Sequence, residues 1–374
     1  MKLRPVIKPV LAAAVFLILL PEGMCAQNPY GDVWKESLAP ARPLYARADT
    51  VTMMVIGDIM MHSRQMQYEY GPFLEGVSSR LKAADITVGN MEFTLGGEPY
   101  SGYPAFSAPD GYAEYIVSQG VNVFLTANNH ILDKGRNGIE RTLGIYNDME
   151  ASMSIRHTGS ASSPEDEQSR YPLLIHRKSI SIALVNFTYG TNAGGSGYDW
   201  PKVNRMDRKD IGRAIARAKE AEADFIIALP HWGNEYELKH SRQQEDLAKW
   251  LAYQGVDAVI GGHPHVVQDS CMIGGTPVFY SVGNAVSNMS APNTQLELAV
   301  RLTFIRNRNG DTYMDEPEVT YLWCSLPGRL RENYTTVAVK DYIGKREIWK
   351  NGYDYDKMIK TYTHVKSVTG VTDK

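Results

Sequence analysis

Short apolar runs alternate along the chain with stretches whose apolar residues recur every three or four positions. The runs are rich in Val, Ile, Phe and Leu, which is typical of buried strands, and the other stretches predict amphipathic helices. The predicted strands cover residues 51–56, 85–88, 121–125, 179–187, 225–229, 256–260 and 277–282. The predicted helices cover residues 73–83, 109–119, 137–149 and 207–221, and one more follows Ser241. This alternation predicts an α/β fold built from packed layers.

Five of the predicted strands deliver polar side chains at their carboxyl ends. In chain order these side chains are Asp58, Glu92, Asn129 with His130, His231, and His263 with His265. Carboxylates, amides and imidazoles bind borderline metals and move protons. In open α/β sheets, ligands bind beyond the carboxyl ends of the strands. The pattern therefore predicts one site assembled from distant parts of the sequence.

The last of these stretches contains two histidines separated by one proline. Pro264 stiffens the turn, and alternation places the imidazoles of His263 and His265 near one another. Gly261 and Gly262 allow the backbone to turn sharply before them. Two histidines at this spacing form a metal half-site. From this stretch alone, two loop histidines with ordinary hydrogen bonds remain the alternative.

The pattern changes beyond residue 290, where helical signals disappear. Residues 296–304 alternate apolar and polar positions, and residues 311–322 are typical of a strand. These segments predict antiparallel strands that complete the sheets. Residues 341–374 are polar and rich in tyrosine, and no fold is predicted for them.

Three segments are predicted to be loops. Residues 94–109 combine glycine, proline and aromatic residues, and a long loop of this kind in a compact domain is often functional. Residues 160–170 are polar and are expected to form a surface loop. Residues 189–200 are rich in glycine, and Gly-Gly-Ser-Gly at 194–197 is either an anion cradle or a flexible loop.

The N-terminal residues have the features of an export signal. Lys2, Arg4 and Lys8 form a basic start, and residues 10–20 are apolar but too short to span a bilayer comfortably. We therefore expect residues 1–26 to be a signal peptide and the protein to be exported to the periplasm, the cell envelope or the medium. An N-terminal membrane anchor is the alternative. No transmembrane span is expected in the mature chain.

The cysteines leave two questions open. A lipid anchor on Cys25 is disfavoured, because Glu22 and Met24 stand where a lipidation motif has Leu and a small residue. After processing, Cys271 and Cys324 remain. Export makes a disulfide between them possible, and two free thiols are the alternative.

The composition excludes several classes of protein. The chain is 43% hydrophobic and 22% charged, which is typical of a globular protein and not of a disordered chain or a membrane bundle. Without residues 1–26, 36 basic residues stand against 41 acidic ones. This mild acidity gives no support for a nucleic-acid partner.

Six short motifs follow one another along the chain. They begin at residues 57, 89, 128, 231, 261 and 280, with the sequences Gly-Asp-Ile-Met, Gly-Asn-Met-Glu, Asn-Asn-His, His-Trp-Gly-Asn-Glu, Gly-Gly-His-Pro-His and Tyr-Ser-Val-Gly-Asn. Taken together and in order, they resemble the motifs of the CapA family, which is named for poly-γ-glutamate capsule synthesis. The resemblance covers roughly residues 51–290. The family is in turn similar to calcineurin-like metallophosphoesterases. The resemblance implies a four-layer αββα sandwich, with two packed mixed β-sheets flanked by helices.

On this resemblance the chain divides into four parts. Residues 1–26 are the signal peptide, and residues 27–50 are a lead-in segment. Residues 51–305 form the CapA-like, metallophosphoesterase-like domain. Residues 306–374 provide the C-terminal strands and a polar tail.

The resemblance also implies roles for individual residues. Glu92, or else Asn90, occupies the place of the bridging Asp, and Glu92 is favoured because an anionic carboxylate can bridge two cations. His130 faces the scissile phosphate and assists the leaving group, and Asp133 orients it. The implied metal ligands are Asp58, Glu92, Asn129, His231, His263 and His265. The candidates for substrate binding are Asn90, Asn128, Glu235 and Asn284, with a solvated carboxylate as the alternative for Glu235.

Two departures from the phosphoesterase pattern concern the same half of the expected centre. The family's Asp-x-His has Met60 in place of the His, and a thioether is a poor ligand for Zn or Mn. The second motif lacks the usual Asp. We therefore expect one or two divalent ions (Zn, Mn or Fe), with one of them bound weakly or not at all.

Two main functions are consistent with these residues. The first is an exported metal-dependent hydrolase that acts on a phosphoester or related bond of an anionic capsule or exopolymer. The alternative is a non-catalytic protein that binds or guides poly-γ-glutamate, together with envelope-assembly proteins. A third hypothesis is amide-bond chemistry on a γ-glutamyl polymer.

Overall fold

A computed structural model describes residues 48–193 and 197–373 of the 374-residue chain. The predicted signal peptide and nearly all of the lead-in lie outside the described residues, as does most of the glycine-rich segment 194–197. Within the described ranges, no helix has the length and apolar character needed to cross a membrane.

The described residues form seventeen strands and eight α-helices. The strands are β1 (Asp49–Ile59), β2 (Ile86–Met91), β3 (Val123–Leu125), β4 (Arg156–Thr158), β5 (Ser160–Ala161), β6 (Leu173–Arg177), β7 (Ile180–Thr188), β8 (Lys202–Val203), β9 (Phe225–His231), β10 (Ala258–Ile260), β11 (Ser270–Ile273), β12 (Thr276–Phe279), β13 (Asn284–Val286), β14 (Leu296–Arg306), β15 (Thr312–Met314), β16 (Glu318–Ser325) and β17 (Thr335–Ala338). The helices are α1 (Glu75–Lys82), α2 (Asp110–Ser118), α3 (Gly135–Met153), α4 (Pro164–Arg170), α5 (Arg208–Glu220), α6 (Arg242–Tyr253), α7 (Val339–Tyr342) and α8 (Gly352–Thr369).

Two mixed sheets pack face to face. The first has the order β17-β16-β14-β1-β2-β3-β4, with β13 beside β1 and β15 beside β14, and the second has the order β11-β12-β10-β9-β7-β6. Helices α1, α2 and α3 cover the outer face of the first sheet, and α5 and α6 cover the outer face of the second. The predicted four-layer αββα sandwich is confirmed.

The strand β1 shows why the central strands read as continuous apolar runs. Val51, Met53 and Val55 lie in the core between the two sheets. Met54 and Ile56 point the other way, into the layer of outer helices. A strand that is buried on both faces has no solvent side, so alternation of polar and apolar residues is lost.

The caps predicted for two helices are present. Asp207 accepts hydrogen bonds from the backbone N–H groups of Lys209 and Asp210 at the start of α5. Ser241 and Gln244 form a capping box at the start of α6. These local bonds satisfy amide groups that a helix leaves unpaired at its N-terminus, which explains why they could be recognised in the sequence.

The C-terminal region contains more helix than the sequence pattern indicates. The predicted antiparallel strands are confirmed, since β14, β16 and β17 extend the first sheet. No fold was predicted for residues 341–374, and residues 352–369 of this segment form α8. Met358, Tyr362 and Val365 of this helix lie in the core shared by the two sheets. The helix covers strands β14 and β16.

Two further predictions can be compared with the structure. The predicted surface loop 160–170 was wrong, since Ser163 caps α4 and Pro164 occupies its first turn. Residues 94–109 contain no helix or ladder strand apart from isolated bridges, as predicted. Among the described residues Cys271 and Cys324 are free thiols, so the structure contains no disulfide between them.

We predict that Asp354 anchors α8 to the first sheet. One of its carboxylate oxygens accepts hydrogen bonds from Trp323 Nε1 at 3.3 Å and Ser325 Oγ at 2.9 Å. Replacement by Ala leaves two buried donors unpaired, and we expect Asp354→Ala to lower the free energy of unfolding by about 1–3 kcal/mol. Urea denaturation measures this change. The matched control is Asp356→Ala on the same helix, whose partner Arg346 is exposed. Equal stability of the two variants would contradict the anchoring role.

Candidate metal centre

The carboxyl ends of strands from both sheets meet at one edge of the sandwich. Strands β1, β2 and β3 of the first sheet and β9 and β10 of the second supply the polar residues of this edge. Every predicted metal ligand and His130 lies there with at most 3% of its surface exposed. The sequence separation between the two ends of this set exceeds 200 residues, so the sheet packing alone brings them together.

The potential ligand atoms form two groups that share Glu92. One group is Glu92, His231 and His263, and the other is Asp58, Glu92 and His265; within each, the ligand atoms lie within 4.8 Å of one another. Glu92 Oε1 is 3.8 Å from His231 Nε2 and 3.9 Å from His265 Nε2. Its carboxylate therefore stands between the two groups, at the place where a bridging ligand is expected.

The first group has an additional donor. Asn129 Oδ1 lies 2.8 Å from His231 Nε2. With this amide oxygen, the first group offers four N and O donors of the kind that Zn and Mn accept, while the second offers three. The two half-sites are therefore unequal in donor number.

Unpaired polar atoms support a cation at this place. Among the described residues, neither carboxylate oxygen of Glu92 has a hydrogen-bond partner, and the Nδ1 atom of His263 has none either. A buried carboxylate without partners is strongly destabilising, because it has lost its hydration and gained nothing in return. A divalent cation coordinated by these atoms restores the lost stabilisation. The residues present thus fit the metal that the resemblance implies.

Burial prepares the histidines to act as ligands. Burial lowers the pKa of His231 to about 3 and lowers the pKa of His263 well below its usual range. Both imidazoles are therefore neutral at pH 7, and no proton has to leave before a metal binds. Burial, together with the charge of Asp58, raises the pKa of Glu92 well above its usual range. Protons consequently compete with the metal mainly at the carboxylate.

Asp58 and His265 behave as an ion pair. Burial alone would raise the pKa of Asp58, but the hydrogen bond with His265 and the charges of His231 and His265 outweigh it, so the pKa is lowered. In the same way, the contact with Asp58 overcomes burial and raises the pKa of His265. The two side chains lie 3.5 Å apart.

Three buried asparagines hold the ligand set in position. Asn90 Nδ2 donates to Asp58 Oδ1 at 2.7 Å, and Asn128 Nδ2 donates to Asn90 Oδ1 at 3.1 Å. Asn284 Oδ1 lies 2.9 Å from His265 Nδ1. Their amides make these hydrogen bonds within the protein, and a role of the three residues in substrate binding stays a prediction. We infer that they orient the ligands, as partners of metal ligands commonly do.

His130 and Asp133 lie beside the ligand groups. His130 Nδ1 is 2.7 Å from Asp133 Oδ2, and the same oxygen accepts the backbone N–H of Phe106 at 2.8 Å. The other ring nitrogen, Nε2, is 4.0 Å from Glu92 Oε1 and so faces the centre. This arrangement is suited to proton transfer at Nε2, with Asp133 fixing the ring.

The backbone near the site departs from regular geometry. The four residues from Val55 to Asp58 in β1 lie opposite the three residues from Val88 to Asn90 in β2, which is a bulge next to Asp58. A Cβ atom on Gly57 would lie 1.9 Å from the carbonyl oxygen of Gly283, so only glycine fits there. His263 and His265 have φ values of 98° and 59°. Non-glycine residues rarely adopt such values, and they are concentrated at functional sites.

The position of Met60 agrees with its chemistry. Its side chain is buried in the core that packs against the outer helices of the first sheet. Nearby, His62 Nδ1 is 2.9 Å from Gln65 Oε1, and the His62 ring meets the edge of Phe106. His62 belongs to neither ligand group among the described residues.

The sequence interpretation missed several residues at this edge. Asn192 Nδ2 lies 3.3 Å from His130 Nδ1, and the backbone N–H of Asn192 donates to the Asn129 carbonyl. Glu297 Oε1 accepts the N–H of Gly57 at 2.7 Å. In the alternating segment 296–304, Glu297 lies on the same side of the strand as Arg301 and Thr303, so the sequence pattern gives no signal of its burial. Three tyrosines also surround the site: Tyr103, Tyr189 and Tyr236.

Comparison with known proteins defines the family. The model of the family described as "Bacterial capsule synthesis protein PGA_cap" matches residues 52–289, and the chain belongs to this family. It is similar to the "Capsule biosynthesis protein CapA" of Bacillus anthracis, with 28% identity over 276 residues, 70% of this chain and 65% of that protein. It is also similar to the "PGA biosynthesis protein CapA" of Bacillus subtilis, with 26% identity over 281 residues and 70% of each chain. The alignment thus spans slightly less than two thirds of the Bacillus anthracis protein.

Solved structures show a more distant likeness. The calcineurin-like phosphoesterase YfkN from Bacillus subtilis aligns with 87% of this chain and 100% of its own, at 14% identity and a TM-score of 0.47. The NAD nucleotidase of Haemophilus influenzae aligns with 86% of this chain and 64% of its own, at 13% identity and a TM-score of 0.45.

We predict unequal binding of two metal ions. The group with Asn129 should bind the first Mn²⁺ or Zn²⁺, and the second ion should bind at least about tenfold more weakly. His263→Ala should abolish the tight ion, whereas His265→Ala should remove only the weak one. Calorimetric titration of the chelator-treated protein measures both affinities, with the exposed His176→Ala as control. Two equally tight ions, or loss of both from His265→Ala alone, would contradict this assignment.

We also predict that Glu297 makes stability depend on pH. Burial raises its pKa to about 8, so the folded protein keeps this carboxyl protonated at pH values where the unfolded chain ionises it. The contribution of Glu297 to the free energy of unfolding is complete below about pH 4.5. It decreases by roughly 1 kcal/mol per pH unit as the pH rises towards 8. Glu297→Gln keeps an acceptor for Gly57 and cannot ionise. In metal-free protein, the variant should therefore become more stable than wild type between pH 5 and 8, and parallel stability profiles would refute this.

Proposed function

We propose that this protein is a metal-dependent hydrolase that cleaves a phosphoester in an anionic capsule or exopolymer of the cell envelope. The observation that carries the proposal is the unpaired, fully buried carboxylate of Glu92, shared by two ligand groups and placed 4.0 Å from His130. Burial of a carboxyl group without hydrogen-bond partners lowers stability, and a bound cation would offset that loss.

The residues divide the chemistry between them. A bound divalent ion lowers the pKa of a water molecule and stabilises negative charge on the transferring group. On one side of Glu92, an ion would be held by Asn129, His231 and His263. On the other side, an ion would be held by Asp58 and His265. His130 holds a proton at Nε2 for the leaving oxygen, and the Asp133 carboxylate stabilises the charged imidazole that carries it.

The surroundings support an envelope substrate. The family and its relatives are named for capsule synthesis, and one relative is named for PGA biosynthesis. The basic and apolar residues at the N-terminus support export to the periplasm, envelope or medium. Together these features favour a polymer assembled outside the cytoplasm over a cytoplasmic metabolite.

A second candidate function is polymer binding without catalysis. Met60 stands where phosphoesterases have a ligand, and the second ligand group has only three donors. If the second ion is absent in the cell, the cleft still presents one cation and several buried polar groups to an anionic chain such as poly-γ-glutamate. The protein would then guide the polymer alongside envelope-assembly proteins.

The hydrolase proposal makes a quantitative prediction. The Mn²⁺-loaded protein should hydrolyse bis(4-nitrophenyl) phosphate, and His130→Ala should reduce kcat about 10²- to 10⁴-fold with unchanged metal content, since only proton transfer is lost. His263→Ala should reduce both metal content and activity. His176→Ala is again the control, because this histidine is exposed on β6.

Two measurements separate the candidates. If the wild-type protein binds no metal from a panel of divalent ions, both the hydrolase proposal and its mechanism are refuted. In a strain that lacks its own copy of this protein, His130→Ala that restores polymer export as well as wild type would favour the binding function. Restoration by wild type alone would favour catalysis.

A further inference from the structure

Three exposed tyrosines surround the mouth of the metal centre. Tyr103 lies in the loop 94–109, Tyr189 follows β7, and Tyr236 follows β9. Their exposed fractions are 72%, 44% and 47%, although the residues beneath them are almost fully buried. Single exposed aromatics are ordinary, but a group of them around one polar cleft is typical of a binding surface. We call these three residues the tyrosine rim.

Each ring of the tyrosine rim is held against a different imidazole of the site. Ring centroids are 4.5 Å apart for Tyr189 and His263, and 6.2 Å apart for Tyr236 and His265. Tyr103 and His130 are 6.4 Å apart. Each tyrosine thus contacts an imidazole of the site while at least 44% of its surface remains exposed.

The backbone of Tyr236 shows that its position is specified. Its φ of 68° is unusual for a bulky residue, and its N–H donates to the carbonyl oxygen of Pro264 at 2.9 Å. Pro264 lies between His263 and His265. Tyr236 is therefore tied to the turn that carries two predicted metal ligands, and backbone strain of this kind is concentrated at ligand sites.

The charges near the tyrosine rim disfavour a dense polyanion. Each phenol O–H can donate a hydrogen bond, and the exposed carboxylate of Glu235 is an acceptor. A chain with a carboxylate on every unit would be repelled by Glu235.

A sugar ring satisfies these features together. The C–H bonds on a pyranose face carry partial positive charge and pack on the negative face of an aromatic ring. Its hydroxyl groups can donate to Glu235 and accept from the phenols. A flexible γ-glutamyl chain offers neither the flat face nor the neutral hydroxyls.

We propose that the tyrosine rim binds a pyranose ring directly beside the metal centre, so that the phosphoester cleaved here belongs to a glycan. This inference rests on the proposed hydrolase function and specifies its substrate class. It assigns Glu235 to the hydroxyl groups of that sugar.

The test compares four ligands of the Mn²⁺-loaded protein by calorimetry, with phosphate release measured in parallel. Glucose 6-phosphate and glycerol 1-phosphate are both phosphates of a primary alcohol, with and without a pyranose. Adenosine 5′-monophosphate offers a nucleobase, and a γ-linked glutamate trimer offers the alternative polymer. Each rim tyrosine is replaced by Ala and by Phe. Tyr253→Ala is the control, since Tyr253 is 87% exposed at the end of α6.

We expect glucose 6-phosphate to bind about tenfold more tightly than glycerol 1-phosphate. Each Tyr→Ala variant should bind glucose 6-phosphate about fivefold more weakly, because ring stacking is lost. Its affinity for glycerol 1-phosphate and its metal content should be unchanged. Tyr→Phe should retain most of the preference, and Tyr253→Ala all of it.

The other outcomes separate this inference from the hydrolase proposal. Equal affinity for the two phosphates, with phosphate released from both, overturns the sugar subsite and leaves the hydrolase standing. Tighter, tyrosine-dependent binding of the nucleotide or the glutamate trimer also overturns it. Tyrosine-dependent binding of glucose 6-phosphate without phosphate release supports the subsite and refutes hydrolysis. Binding of none of the four ligands refutes both.

Discussion

The structure depends on one electrostatic constraint, the burial of the Glu92 carboxylate at the place where two sheets meet. Neither of its oxygens has a hydrogen-bond partner among the described residues. The surrounding imidazoles offer lone pairs rather than protons, because burial keeps His231 and His263 neutral. Such an arrangement is costly in an apolar interior and becomes favourable when a cation joins the carboxylate to its neighbours. The rest of the site is arranged around that place.

The scaffold supplies rigidity on both sides of this centre. Strands β1 and β9 are buried on both faces, so the ends that carry Asp58 and His231 have little freedom to move. Asn90, Asn128 and Asn284 then fix individual side chains by direct hydrogen bonds. Precise positioning by a second layer of partners is what a metal site needs, because ligand geometry must be kept when the metal is exchanged or the substrate binds.

The two halves of the centre differ in what they can hold. The half with Asn129 has four donors, and the other half has three. The Met60 side chain is buried in the apolar core. An enzyme with one firm ion and one weak ion would respond to metal supply in its surroundings. The exposed Tyr189 and Tyr236 contact His263 and His265, so the residues proposed for substrate recognition differ from those proposed to bind ions.

The alternation of strands and helices along the chain and two of the helix caps could be predicted from the sequence alone. Each arises from local chemistry, since burial on both faces produces apolar runs and unpaired amides at helix starts favour Asp207 and Ser241. The sequence also identified the residues at the strand ends. It could not show that Asn90, Asn128 and Asn284 turn inward, that α8 packs onto the first sheet, or that Glu297 lies behind Gly57. Those outcomes depend on contacts between residues far apart in the chain, which only the packing of two sheets decides.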